Sequence, residues 1–145
     1  MPSVQNLRVT VLAEDSVSMN RPEVVSKHGL SLLAETDVNG VTSRILMDAG
    51  PPPDITLRNA DAINVNIQTI ATILLSHGHY DNTGGLTDVL KCVNQTIPIV
   101  AHPEVFSPKF AFKPSLKLIG ILGTAGISVR QSYSTMSTSI DIVRP

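Results

Sequence analysis

Leu74-Leu75-Ser76-His77-Gly78-His79-Tyr80-Asp81-Asn82-Thr83-Gly84-Gly85-Leu86 concentrates more chemistry than any other stretch of the chain. The apolar run from Ile70 to Leu75 leads into two histidines and an aspartate; two glycines follow, then an apolar segment with helical spacing. This order predicts a buried strand, a turn carrying polar groups and a helix start. A loop at the end of a buried strand holds side chains rigidly while letting them reach a cleft. Imidazole nitrogen and carboxylate oxygen are the usual ligands of zinc, iron and manganese. Two histidines two apart on an extended turn project to one side and share an ion, which makes His77, His79 and Asp81 the candidate metal ligands. Asp81 is also placed to meet a second ion. Two ions roughly 3.5–4 Å apart share a hydroxide and polarise a substrate oxygen, so Asp81 is the candidate catalytic residue as well. Without an ion, His77 and His79 read as ordinary surface or cap residues.

The run Ser76–Leu86 resembles the metal-binding signature of the metallo-β-lactamase superfamily, usually H-x-H-x-D-H. The words His28-Gly29-Leu30-Ser31-Leu32-Leu33, Ile45-Leu46-Met47-Asp48-Ala49-Gly50 and Asn59-Ala60 resemble one branch of it. That branch is the dihydropterin–ribofuranosylaminobenzene-phosphate synthase-like hydrolases, linked to methanopterin biosynthesis. The similarity runs from about Leu7 to at least His102-Pro103. It implies an α/β (α+β) fold, the metallo-β-lactamase-like αββα sandwich, here only its first half: a mixed sheet with flanking helices in a single truncated domain over residues 1–145. It also implies a divalent metal, zinc first and iron or manganese as alternatives. The implied reaction is hydrolysis, a metal-bound hydroxide attacking a small phosphate- or ester-containing substrate.

The chain departs from the signature at Asn82, where the family has the last histidine of the motif, a ligand of the second metal. An amide oxygen is neutral and weakly basic, and a poorer transition-metal ligand than imidazole. No histidine follows His102, whereas family members bring further ligands from a second half. Three readings therefore stand side by side: a metallo-hydrolase whose site is completed by a partner chain or holds one ion, a non-catalytic binding or regulatory relative, and an inactive fragment.

Bulk properties suit a folded globular chain. The 145 residues are 42% hydrophobic and 16% charged with a net charge of −1, which fits one domain with a real core. The near-neutral balance makes no case for nucleic acid. No run approaches a membrane span and the N-terminus lacks signal-peptide features. The single cysteine, Cys92, excludes an internal disulfide, reads as core filler, and fits a cytoplasmic location.

Along the chain, Leu7–Leu12 alternates as a strand and Glu14-Asp15-Ser16 ends it as a turn. Residues 17–27 read as a loop near the mouth of the site. His28, either a half-exposed turn residue or a pocket wall suggested by the resemblance, precedes a strand over Leu30–Glu35. Asp37-Val38-Asn39-Gly40 is a hairpin turn, and the strand Ser43–Met47 ends at Asp48. Asp48 is either a strand-end cap or, as the resemblance implies, a residue close behind the metal ligands that holds their geometry. Pro51-Pro52-Pro53 leads to Asp54 as N-cap of a helix to about Ile63. Ile70–Leu75 reads as a central strand. Asn82 or Thr83 caps the next helix, Gly85 to about Cys92. Gln95–Ala101 is a strand, with His102 beyond it as a strand-end cap or pocket residue. Residues 106–114 read as a loop whose Lys109 and Lys113 are solvated or face an anionic substrate. Leu118–Leu122 is apolar; Ile127–Arg130 and Ser139–Val143 alternate as strands around a turn at Ser132–Thr138. Half of a sandwich leaves an apolar sheet face without its partner. The expected partners are therefore a small-molecule substrate and a second copy or another chain over that face. A monomer by light scattering would contradict this.

Overall fold

Asn39 and Gly40 both carry positive φ, 51° and 79°, as a type I′ turn requires. They close the hairpin of β2 (Ser31–Val38) and β3 (Val41–Met47), with Val38 opposite Val41. The computed structural model describes residues 3–112, 116–120 and 138–141. Before the hairpin, β1 (Asn6–Ala13) pairs antiparallel with β2. After it the chain crosses over twice, through α1 (Ile55–Ala62) to β4 (Thr72–Leu75), then through α2 (Tyr80–Thr83) and α3 (Leu86–Val93) to β5 (Pro98–Ala101). Parallel neighbours need such crossovers, and β3, β4 and β5 are parallel. A later strand, β8 (Thr138–Asp141), adds antiparallel to β5, so the mixed sheet runs β1-β2-β3-β4-β5-β8. β6 (Lys109–Phe112) and β7 (Leu116–Gly120) form a separate two-stranded sheet.

One sheet face carries the core. Leu33, Leu46, Ile73 and Ile99 lie side by side across four strands and are all but fully buried. They pack in one cluster with Leu12, Ala60, Leu86, Val89 and Val93. Fully burying one such side chain contributes roughly 1.5–3 kcal/mol. Because side chains alternate between faces, the intervening positions Val9, Ala34 and Ile45, and Val11, Leu32, Met47, Leu74 and Val100, share the opposite face. That face is only half-buried or exposed; Val9 keeps 53% and Leu74 37% of its surface open. Cys92 is free and packs against the core cluster. Among the described residues no helix is long and apolar enough to cross a membrane.

Four expectations are corrected. Asp54 stands before α1 in the left-handed region (φ 36°, ψ 13°) and makes no side-chain cap bond, because an N-cap side chain reaches the helix N–H groups from the extended region. Neither Asn82 nor Thr83 caps α3; the extra turn of α2 intervenes and Gly85 takes the cap position. Residues 109–112 are not loop but β6, where alternation in Lys109-Phe110-Ala111-Phe112 wins over the flanking prolines. Lys109 binds the carbonyls of Glu104 and Ser107, so it is tied locally. Lys113, Ile127–Arg130 and the turn expected over 132–137 lie outside the described residues.

Candidate metal centre

The motif loop leaves β4 at the centre of the sheet and is fixed from both sides. Asp48 ends the neighbouring β3 in the left-handed region (φ 57°) and is fully buried. Its backbone N–H donates to Leu74 O at 2.8 Å. Its carboxylate accepts the Ser76 N–H at 2.8 Å and the Ser76 hydroxyl at 2.6 Å. Burial pushes the Asp48 carboxyl above the ordinary range; the Ser76 bonds and the nearby His77 pull against it, while Asp81 adds to the rise. On the other side, a Cβ at Gly78 would stand 2.2 Å from Val105 O, so the His-Gly-His turn runs directly against the short 3-10 helix Pro103–Phe106.

Hydrogen-bond direction sets the state of His77. Ser76 has one hydroxyl proton and gives it to Asp48, so its oxygen can only accept from His77 Nδ1, 2.9 Å away. The proton therefore sits on Nδ1 and the Nε2 lone pair is left for a ligand. A carboxylate behind a ligating histidine acts in this way, here through an intervening hydroxyl. His79 holds the start of α2, its carbonyl taking the Thr83 N–H at 3.0 Å and hydroxyl at 2.8 Å. The two imidazoles meet edge to face, centroids 4.6 Å apart. Donor atoms of His77, His79 and Asp81 all lie within 4.8 Å of one another. Two imidazoles and a carboxylate with this spacing fit one divalent ion of the zinc, iron or manganese type.

Asn82 is buried and turned into this group. Its amide nitrogen stands 3.2 Å from His77 Nε2 and 3.3 Å from Asp81 Oδ1. Both are acceptors, which orients the NH2 toward them; an ion at His77 would have to displace that bond. His28 joins from the loop before β2, its Nε2 3.1 Å from Asp81 Oδ2 and its Nδ1 2.9 Å from Asp15 Oδ1. His102 is not brought to the ligands: it is exposed and its Nδ1 accepts the Glu104 N–H at 3.3 Å, capping the 3-10 helix. Sequence reasoning singled out neither Ser76 as the link from Asp48 to His77 nor Asp15 behind His28. A serine just before H-x-H was visible; nothing local marked Asp15. A cavity of about 460 Å³ lies elsewhere, between β1, the loop after it and α1, and is lined by Arg8, Thr10, Leu12, Arg21, Val25 and Asn59 among others. It holds none of the ligand donors, so the chemistry of the donors outweighs its size.

Asp48→Asn tests the relay. Asparagine tolerates the left-handed backbone and its amide oxygen still accepts the Ser76 N–H. Its NH2, however, donates to Ser76 Oγ, whose proton then turns to His77 Nδ1 and moves the ring proton to Nε2. Metal affinity is expected to fall roughly 10–100-fold, with the tautomer change visible by nitrogen NMR of the histidines; unchanged affinity would contradict the relay. The acid side follows from the raised Asp48 pKa. The stability it contributes is present in full below the unfolded carboxylate value and is lost as pH rises through the folded one, a dependence the variant lacks.

Comparison with known proteins places the chain in a family. Residues 43–117 match the family described as the beta-lactamase superfamily domain. The chain is 43% identical over 119 residues to the 7,8-dihydropterin-6-methyl-4-(beta-D-ribofuranosyl)-aminobenzene-5'-phosphate synthase of Methanocaldococcus jannaschii, covering 82% of this chain and 40% of that protein. An uncharacterized protein of the same organism is 36% identical over 86 residues, 59% of this chain and 32% of its own. The chain thus spans 40% or less of the length of these curated relatives. Among solved structures, a mutant flavo di-iron protein from Thermotoga maritima aligns over 68% of this chain and 27% of that one, at 21% identity and a TM-score of 0.41.

Proposed function

Because the chain belongs to the metallo-β-lactamase superfamily, on the branch of the dihydropterin–ribofuranosylaminobenzene-phosphate synthase, we propose that it is a divalent-metal-dependent hydrolase of a small phosphate- or ester-containing molecule. The observation that carries this reading is the convergence of His77, His79 and Asp81 donors within 4.8 Å on the loop after the central strand. When bound there, a divalent ion supplies a water made acidic enough to act near neutral pH and a positive charge for the oxyanion that develops. His77 and His79 hold the ion's position through neutral nitrogens, and Asp81 adds the charge that imidazoles lack. Asp48 and Ser76 keep the His77 Nε2 lone pair directed inward. Zinc is the proposed ion, with iron or manganese as the alternatives this donor set also accepts. The phosphate-bearing substrate class rests on the relative's printed name, which speaks of a synthase acting with a ribofuranosyl phosphate product.

One observation favours a second reading, a binding relative without turnover. Asn82 spends its amide N–H groups on the ligand atoms His77 Nε2 and Asp81 Oδ1. Asn82→His decides between the two. The hydrolase reading expects the histidine variant to bind more metal per chain and to raise metal-dependent turnover of phosphoesters or lactones above the wild-type rate, both abolished by chelator. Unchanged stoichiometry and no turnover in either protein would favour the binding relative.

A further inference from the structure

The cavity of about 460 Å³ between β1, the loop after it and α1 contains none of the candidate metal ligands, and its walls are tied together. Asn59, on α1, is 1% exposed. Its amide nitrogen donates to Leu12 O at 2.7 Å and to Val25 O at 2.9 Å, and its oxygen accepts the Val25 N–H at 2.9 Å. One buried side chain thus joins strand, loop and helix, with both amide N–H groups used. The Lys27 N–H closes the same loop on Glu14 O at 3.1 Å. We propose that this cavity binds a small monoanion carried on an apolar body, a medium-chain carboxylate, with Arg8 as its counter-charge. The proposal goes beyond the metal-centre reading and does not depend on it.

Apolar surface and charge are sorted along the cavity. Arg8, Thr10 and Leu12 share one face of β1, because side chains alternate along a strand. Leu12 is buried and Arg8 is exposed, so the lining runs from an apolar floor to a charged mouth. Val24, Val25 and Ile63 are half-buried, and Val17 keeps 40% of its surface open. Apolar walls with a few polar groups are the usual make-up of a small-molecule site, and the volume falls in the usual range of roughly 300–1,000 Å³. The cation at the mouth lacks a carboxylate among the described residues. Glu35 stands directly across from Arg8 on β2, but its carboxylate takes Arg44 Nε at 2.8 Å. The guanidinium of Arg21, also on the lining, meets the exposed Glu23 at 3.4 Å. A second cavity of about 440 Å³ shares Arg8, Thr10, Arg21 and Ile63 with the first, so both guanidiniums border the junction of the two. A guanidinium fork matches a carboxylate through two parallel hydrogen bonds. Glu14 lines the first cavity as well, and its charge opposes a dianion there, so a single negative charge fits best.

The full 145-residue chain is titrated with decanoate, below its micelle concentration, and followed by amide NMR; decanol is the uncharged equivalent. Decanoate is expected to shift the amides of Val17, Val24, Val25 and Ile63 and to bind roughly 10-fold or more tightly than decanol, the difference a hydrogen bond to a charged group makes. Arg8→Gln should erase that difference, weakening decanoate and leaving decanol unchanged, and Arg8→Lys should keep part of it. Val17→Trp, which narrows the cavity from the loop side, should weaken both. Arg8 and Val17 are exposed, so circular dichroism should show these variants folded. Decanoate shifts confined to the opposite sheet face at Leu32, Met47 and Leu74, or equal affinity of the wild type for decanoate and decanol, would overturn the proposal. So would a decanoate affinity that Arg8→Gln leaves unchanged, or no shift at all. Each of these outcomes leaves the metal-centre reading standing, because Arg8 and Val17 supply none of its donors.

Discussion

Asp81→Asn is expected to abolish metal uptake while leaving the protein folded. The carboxylate is the charged donor of the candidate centre, and its two oxygens face opposite sides of it. An isosteric amide keeps the shape and removes the charge, leaving His77 and His79 as a two-nitrogen site. Losing an outer partner of a ligand costs roughly 10–100-fold in metal affinity; losing the charged ligand itself should cost more than about 100-fold by the same scale. Stability should change little, since the side-chain partners of Asp81 are His28 and Asn82 at the site, and an asparagine oxygen in its place still accepts from Asn82. Isothermal titration with zinc reads the affinity and thermal melting reads the fold. Retained affinity would remove Asp81 from the ligand set.

Gly85→Ala carries a large expected effect on stability. A Cβ there would stand 2.3 Å from Ala49 O and 3.3 Å from Ala49 C. The contact is backbone against backbone, across the seam where Gly85 N–H donates to Gly50 O at 3.0 Å and Ala49 N–H donates to Asn82 O at 2.7 Å. No side chain can swing away, so α3 or the end of β3 must shift. Overpacking of this kind costs roughly 2–3 kcal/mol, a large share of the roughly 5–15 kcal/mol that holds a domain together. At this chain length the melting temperature should fall by roughly 5–10 °C. The seam also places Asp48 beside Ser76, so metal binding should weaken with it. Gly40 is the contrast: it has φ +79° and nothing within 4 Å of its Cβ position, so alanine there costs only backbone strain. A Gly85 variant that melts with the wild type would show the seam to be loose.

Much of the sheet could be read from local pattern because its causes are local. Asn39-Gly40 needs no tertiary partner to prefer a tight hairpin, and the apolar run ending at Leu75 has no polar face to give to solvent, which placed it centrally. The motif showed the candidate ligands because three donor side chains fall within five residues. What escaped depends on contacts far apart in the chain. Asp15 looked like plain turn chemistry, and only the fold carries it to His28 and so to Asp81. Ser76 looked like a loop residue until Asp48, on another strand, took its proton. Asp54 has the right side chain for a cap, but it follows the Pro51–Pro53 run in a left-handed conformation and makes no side-chain cap bond. β6 was hidden because its four residues sit between Pro108 and Pro114, and its partner β7 comes only afterward.

The central claim is that the loop after β4 holds a divalent ion through His77, His79 and Asp81. Metal content per chain, by elemental analysis of protein purified without chelators beside the Asp81→Asn variant, tests it most directly. The account predicts about one or more zinc, iron or manganese ions per wild-type chain, consistent with a three-donor site, and a loss of that metal in the variant. No metal in the wild type and none taken up on titration, or equal metal in both proteins, would contradict it.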